Sequence, residues 1–147
     1  MSKTIDGPAI VFTRTFKAPV EKLWAMFTTR EGLAKWYWPE PFGDAIIKHL
    51  DVRVGGAWEI AAEGLEHTSR GRYTEVVPCE RLSYVTTIDF APDSAPYERH
   101  DVVDFSSVPG GSQVVITQTR MHNAHWQDLA NRGHASALEK LGRLLDV

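Results

Sequence analysis

The C-terminal stretch NAHWQDLANRGHASALEKLGRLLDV, residues 123–147, decides how the rest of the chain is read. At helical spacing Trp126, Ala130, Gly133, Ala137, Leu141 and Leu144 share one face, and Leu138 and Leu145 widen it. Gln127, Asp128, Arg132, Glu139 and Lys140 fall mostly opposite. The spacing predicts one long amphipathic helix. Its apolar face is bulky at both ends and small at Ala130, Gly133 and Ala137. Such a helix seals the ends of a curved sheet and leaves room beneath its middle, so function is expected there.

Upstream of the helix, residues 112–121 alternate Val114 and Ile116 against Val115 and Thr117, and Pro109-Gly110-Gly111 turns them back on a strand over 97–108. Further upstream, 81–90, 67–77, 57–62 and 45–54 read as strands. Pro92 and Pro96 mark a loop, Pro78-Cys79-Glu80 and Glu63-Gly64 mark turns, and Gly55-Gly56 reads as a tight hairpin turn. At the front, 10–16 places Ile10, Phe12, Arg14 and Phe16 on one strand face. Val20, Leu23, Trp24 and Phe27 follow Pro19 at helical spacing. Thr28-Thr29 offers a cap for a second short helix bearing Leu33, Trp36 and Tyr37, closed by Pro39 and Pro41. The order is one strand, two short helices, about six strands in a meander and one long helix. That is an α+β pattern in which a twisted antiparallel sheet wraps the long helix and the short helices plug an open end. A single domain over 1–147, with a core of about 10–146, is expected.

Bulk properties narrow the function classes. The net charge of -3 and the absence of a dense Lys/Arg cluster argue against a nucleic-acid partner. Residues 1–8 carry no signal-peptide core, and no run approaches the ~20 apolar residues of a membrane helix, so the expected address is cytoplasmic with no membrane partner. Cys79 is the single cysteine, which forbids an intramolecular disulfide and an all-cysteine metal site and reads as a passive thiol.

A set of residues in order carries a family resemblance: Arg14-Thr15-Phe16-Lys17-Ala18-Pro19, Leu23-Trp24, Gly32-Leu33 with Trp36, and Asp51-Val52-Arg53-Val54-Gly55-Gly56 with Trp58. Gly71 with Tyr73, Glu75-Val76-Val77-Pro78, Arg81-Leu82 with Tyr84, and Gly133 complete it. Together they resemble the SRPBCC, or START-like, superfamily, and within it the family related to the C-terminal domain of the activator of the heat-shock-protein-90 ATPase. The resemblance covers the chain from Val11 to Leu145. It implies a helix-grip fold, in which the long C-terminal helix closes a hydrophobic cavity inside the curved sheet. It departs at Gly133-His134, where many relatives carry Gly-Trp; an imidazole there opens space and adds a titratable group.

Three residue sets offer chemistry. Trp24, Trp36, Trp38, Trp58, Tyr73, Tyr84, Phe90, Tyr97 and Phe105 are either core or the aromatic wall of a small-molecule site, with Trp36, Trp58 and Tyr73 favoured as wall. On 97–105, alternation puts Tyr97, Arg99, Asp101, Val103 and Phe105 on one face. Arg99 and Asp101 are then a buried couple that orients a carboxylate or carbonyl, or a surface cross-strand pair; Gln118 and Arg120 carry the same ambiguity. His122 and His125, three apart, are a weak metal pattern without a third ligand, and His134 faces the space beneath the helix. No GxSxG, Walker or GxGxxG pattern is present, so no nucleotide cofactor and no metal are expected.

The expected function is binding of a small hydrophobic or aromatic ligand between the sheet and the C-terminal helix. The expected contacts are Trp36, Trp58, Tyr73, Tyr84, Arg99, Asp101, Phe105, Gly133, His134 and Ala137. The resemblance keeps two alternatives open. One is a polyketide cyclase/aromatase or hydrolase type of enzyme, whose mark would be a close pair such as His134 with Asp101 or Tyr73. The other is a co-chaperone-like module of the stress response with a chaperone partner. A homodimer through an exposed sheet edge is compatible with the pattern.

Overall fold

A computed structural model describes residues 9–39 and 42–146; the expectations placed on residues 1–8, Pro41 and Val147 lie outside them. The elements are β1 (Ile10–Phe16), α1 (Val20–Thr28), α2 (Arg30–Trp36), β2 (Ile46–Leu50), β3 (Ala57–Ala61), β4 (Ser69–Val77), β5 (Arg81–Ile88), β6 (Tyr97–Val108), β7 (Gly111–Gln118) and α3 (Ala124–Leu145). The seven strands form one sheet in the order β1-β7-β6-β5-β4-β3-β2, every neighbouring pair antiparallel. The sheet curves around α3, and α1 and α2 cover one end: the helix-grip arrangement.

Local chemistry fixes the helix starts. The Asn123 side-chain oxygen accepts the Trp126 N–H at 3.0 Å and the Thr29 hydroxyl accepts the Gly32 N–H at 3.0 Å, each satisfying one orphan donor of a first turn. Gly32 is needed where α1 and α2 cross, since a Cβ there would sit 2.6 Å from the Met26 backbone. The outer face of the sheet carries ion pairs such as Arg72–Glu98 (2.6 Å) and Arg81–Asp104 (2.9 Å), so one face only is left to build a core.

Several boundaries differ from the sequence reading. β2 ends at Leu50 rather than Val54, and Gly55-Gly56 is not a two-residue hairpin turn. The 51–56 segment folds on itself instead, with the Gly56 N–H donating to the Arg53 carbonyl at 2.8 Å. It then pairs with β4, the Gly55 N–H donating to the Tyr73 carbonyl (2.8 Å) and the Tyr73 N–H to the Gly56 carbonyl (2.9 Å). β5 stops at Ile88, and Phe90 stacks instead on His67 with ring centroids 4.1 Å apart. β4 starts at Ser69 rather than His67, and β7 ends at Gln118 rather than Met121. On α3 the prediction fails at two positions. Leu144 is exposed, while Gln127 is buried because its carboxamide oxygen accepts the Met121 N–H at 2.7 Å and its nitrogen donates to Asn131 at 2.8 Å.

Candidate functional site

A cavity of about 420 Å³ lies between the sheet and the Trp126 to Leu138 part of α3. Strand register builds its polar side. Tyr84 pairs with Asp101 and Asp101 with Gln118, while Thr86 pairs with Arg99 in the next inward row. Three adjacent strands thus turn a polar patch toward the helix at one level. Asp101 is fully buried behind the wall, and Arg99 lies against it with Nε 3.1 Å from one carboxylate oxygen and Nη2 3.3 Å from the other. The Thr86 hydroxyl donates to Asp101 at 2.9 Å. Burial opposes the guanidinium charge, but the Asp101 carboxylate beside it holds the Arg99 pKa above its ordinary value.

His134 meets this patch from the helix. Its Nδ1 lies 2.7 Å from the Ala130 carbonyl, which can only accept, so the proton sits on Nδ1. Nε2 is then an acceptor, satisfied by the Gln118 amide nitrogen at 2.8 Å. Burial, helped by the Arg99 charge, pushes the imidazole pKa down to about 4, so the ring is neutral at pH 7. It also stacks on Phe12 with centroids 5.1 Å apart. Tyr84 stands beside Arg99, its hydroxyl pKa well above the usual value because of burial and the Asp101 charge. Tyr37 and Ser69 also line the cavity and share a 2.6 Å hydrogen bond.

The remaining wall is apolar and comes largely from loops. Trp38 and Phe42 belong to the segment after α2, which is fastened twice. The Trp38 indole donates to the Ala61 carbonyl at 2.9 Å, and Lys140 of α3 donates to the Trp38 and Phe42 carbonyls at 2.8 and 3.2 Å. Leu65, the stacked His67–Phe90 pair and Trp126 close another side, and the half-exposed Leu129 stands at the rim.

Of the residues named from sequence, Trp36, Tyr84, Arg99, Gly133, His134 and Ala137 line this cavity. Asp101, Trp58, Tyr73 and Phe105 do not, so the expectation of a pocket touching Trp58 and Tyr73 is corrected. Asp101 is screened by Arg99. The Trp58 indole lies over Gly71, where any Cβ would run into it, and Trp58 and Tyr73 both pack edge-on against Tyr84 at 5.8 and 6.1 Å. Tyr84 therefore stands between them and the open space. Phe105 is held by Trp24 and Phe27 at 5.1 and 5.2 Å. Sequence reasoning did not assign the site Tyr37, Phe42, Leu65, His67 or Thr86; the aromatic run Trp36-Tyr37-Trp38 ahead of Pro39 is the signal that pointed to the first of these.

The other chemical readings find different partners. His134 bonds neither Asp101 nor Tyr73. His122 is held between the Tyr97 hydroxyl and the Asp93 carboxylate, each at 2.8 Å, while His125 is exposed. No group of three or more His, Cys, Asp or Glu side chains suited to a metal occurs among the described residues, and no helix among them is long and apolar enough to cross a membrane. Cys79 occupies a turn with a φ of 62°, a conformation glycine adopts more easily.

A family profile described as "Activator of Hsp90 ATPase homolog 1-like protein" matches residues 17–146. No curated protein matches the sequence. Among solved structures, protein CV1439 from Chromobacterium violaceum is similar, with 28% identity, a TM-score of 0.81, and coverage of 95% of this chain and 98% of that one. Protein Ms6760 from Mycobacterium smegmatis gives 21%, 0.77, and coverage of 97% and 94%. The Aha1 dimer from Colwellia psychrerythraea, solved in solution, gives 20%, 0.77, and coverage of 95% and 96%. These likenesses, and the profile match over most of the sequence, agree with the sheet order and gripping helix described above, and the chain belongs to the family of proteins like activator of Hsp90 ATPase homolog 1.

Proposed function

We propose that this protein holds a small, largely apolar molecule in the cavity between its sheet and α3. The observation that supports this reading best is the combination of about 420 Å³ of space, aromatic walls and a buried guanidinium already paired with Asp101. Apolar burial supplies the drive and a few placed polar groups supply orientation, the usual division of labour in ligand sites. Holding is favoured over turnover because both nitrogens of His134, the imidazole at the polar row, are committed to Ala130 and Gln118 and are not free to serve as acid or base. The co-chaperone alternative rests on the family description alone.

The test uses the uncharged fluorescent probe N-phenyl-naphthylamine. Its emission is expected to rise on binding wild-type protein and to stay low with Ala130→Phe, which fills the cavity from the helix side. Equal binding by a folded Ala130→Phe variant would place the probe elsewhere and sink the reading.

A homodimer is a second, compatible proposal, favoured by the two sheet edges. β1 and β2 are edge strands, and Val11 and Ile46 on them are 57% and 52% exposed. Light scattering across a concentration series decides it, and a constant monomer mass would reject it.

A further inference from the structure

We infer that the cavity selects apolar molecules ending in an uncharged oxygen acceptor, such as a ketone or aldehyde carbonyl, over both the plain hydrocarbon and the matching carboxylate. This rests on the binding reading above and adds the class of ligand. The first half of the selection comes from a surplus of donors. Arg99 spends Nε and Nη2 on Asp101, and Nη1 has only the Met121 sulfur, at 4.0 Å. The Tyr84 hydroxyl lines the same end of the cavity and has no hydrogen-bond partner among the described residues. Asp101 already takes Thr86 and Arg99 and the His134 Nε2 takes Gln118, which leaves the Gln118 carboxamide oxygen as an open acceptor in this row against the Arg99 N–H groups and the Tyr84 O–H. A hydrocarbon filling this end strands N–H and O–H groups in a dry site, and a carbonyl oxygen satisfies them.

The second half comes from a charge count. Arg99 is the single permanently charged residue on the described wall, and its charge is balanced by Asp101, fully buried just behind it. The titratable groups that share the wall add no positive charge at neutral pH. His134 is held neutral by burial and by Arg99, and the His67 pKa is lowered by burial against the opposing pull of Asp89. A carboxylate would therefore bring an uncompensated negative charge into a low-dielectric space next to Asp101. A carbonyl accepts from the same donors and adds no net charge.

The experiment is displacement of N-phenyl-naphthylamine at pH 7.5 by naphthalene, acetylnaphthalene and naphthoate, which share one apolar body. Acetylnaphthalene is expected to bind about tenfold tighter than naphthalene and at least tenfold tighter than naphthoate. Tyr84→Phe, which removes the hydroxyl and leaves the ring, is expected to lose several-fold of the ketone preference, because the ketone loses a donor and naphthalene no longer strands one. Arg99→Gln is the stronger test, but it strips Asp101 of its partner and risks the fold, so Tyr84→Phe carries the comparison. Naphthoate binding as tightly as the ketone, or naphthalene matching the ketone, overturns the inference while leaving the cavity reading intact. Failure of all three to displace a bound probe also overturns it. If the probe itself does not bind, the cavity reading falls, and the inference falls with it.

Discussion

The two ends of α3 lie over the same sheet, yet one is solid and the other hollow. Toward the C-terminus, Leu141 is fully buried and joins Leu138, Leu145, Phe16, Val103 and Val114 in the core. Toward the N-terminus, Ala130, Gly133 and His134 stand over the cavity. The strands beneath differ by one inward step. Leu82, Val103 and Ile116 face one another across β5, β6 and β7, and two residues along, the matching positions are Tyr84, Asp101 and Gln118. An apolar row can be packed dry against leucine. A polar row needs a partner for every group, and small helix residues above it leave the space where those partners, and a ligand, are accommodated. Hollowness here follows from the polarity of adjacent rows as much as from the size of the helix side chains.

The contrast can be broken most forcefully at the polar row. Arg99→Met should cost about 3–5 kcal/mol, because it leaves the Asp101 carboxylate buried without its charge partner, and adding Asp101→Asn should recover much of that loss. Urea unfolding reads both, and a loss below about 1 kcal/mol would mean that the row is well hydrated and the hollow end is not a dry site.

At the solid end, Leu141→Ala should cost about 3 kcal/mol, since a fully buried leucine in a packed core leaves a void that its neighbours fill only in part. Ala130→Phe at the hollow end should change stability by about 1 kcal/mol or less. Similar losses for the two variants would erase the distinction between the ends.

Acid should weaken the hollow end selectively. Because the His134 pKa is lowered from 6.5 to about 4, the unfolded chain takes up a proton that the folded ring refuses. Its contribution is complete above pH 6.5 and is lost as pH falls toward 4, amounting to about 3 kcal/mol at most. His134→Trp should flatten this slope and narrow the cavity, weakening large ligands while the fold persists. An unchanged slope in the variant would assign the acid sensitivity to other groups.

The smallest effect sharpens the same picture. A Cβ at Gly133 would meet only the Pro39 ring, at an ordinary 3.8 Å. Gly133→Ala should therefore raise stability by about 0.5–1 kcal/mol through helix propensity alone, measured by thermal unfolding. A destabilised variant would show that the loop after α2 presses on the helix more closely than that distance implies.

Much of the fold was legible because its signals are local. Asn123 and Thr29 cap helices within three residues, and the strand read over 97–108 has the bounds of β6. Where a boundary depended on a distant partner, local reading failed. Gly55-Gly56 looked like a hairpin turn, but its backbone pairs with Tyr73, and Gln127 looked exposed, but the Met121 N–H between β7 and α3 donates to its oxygen. The site was legible by halves for the same reason. Small residues at 130, 133 and 137 of the helix announced the space, and alternation put Arg99 and Asp101 on one face.

By itself the sequence determined that a curved antiparallel sheet grips one long helix with a thin middle, because hydrophobic period, caps and turn residues act over a few positions. Tertiary structure alone decided that Arg99 faces the cavity while Asp101 lies behind it, that Gly71 gives its place to Trp58, and that loop aromatics rather than Tyr73 complete the wall. Those outcomes depend on cross-strand register and loop docking. Both are settled by contacts between residues far apart in the chain, which no local spacing encodes.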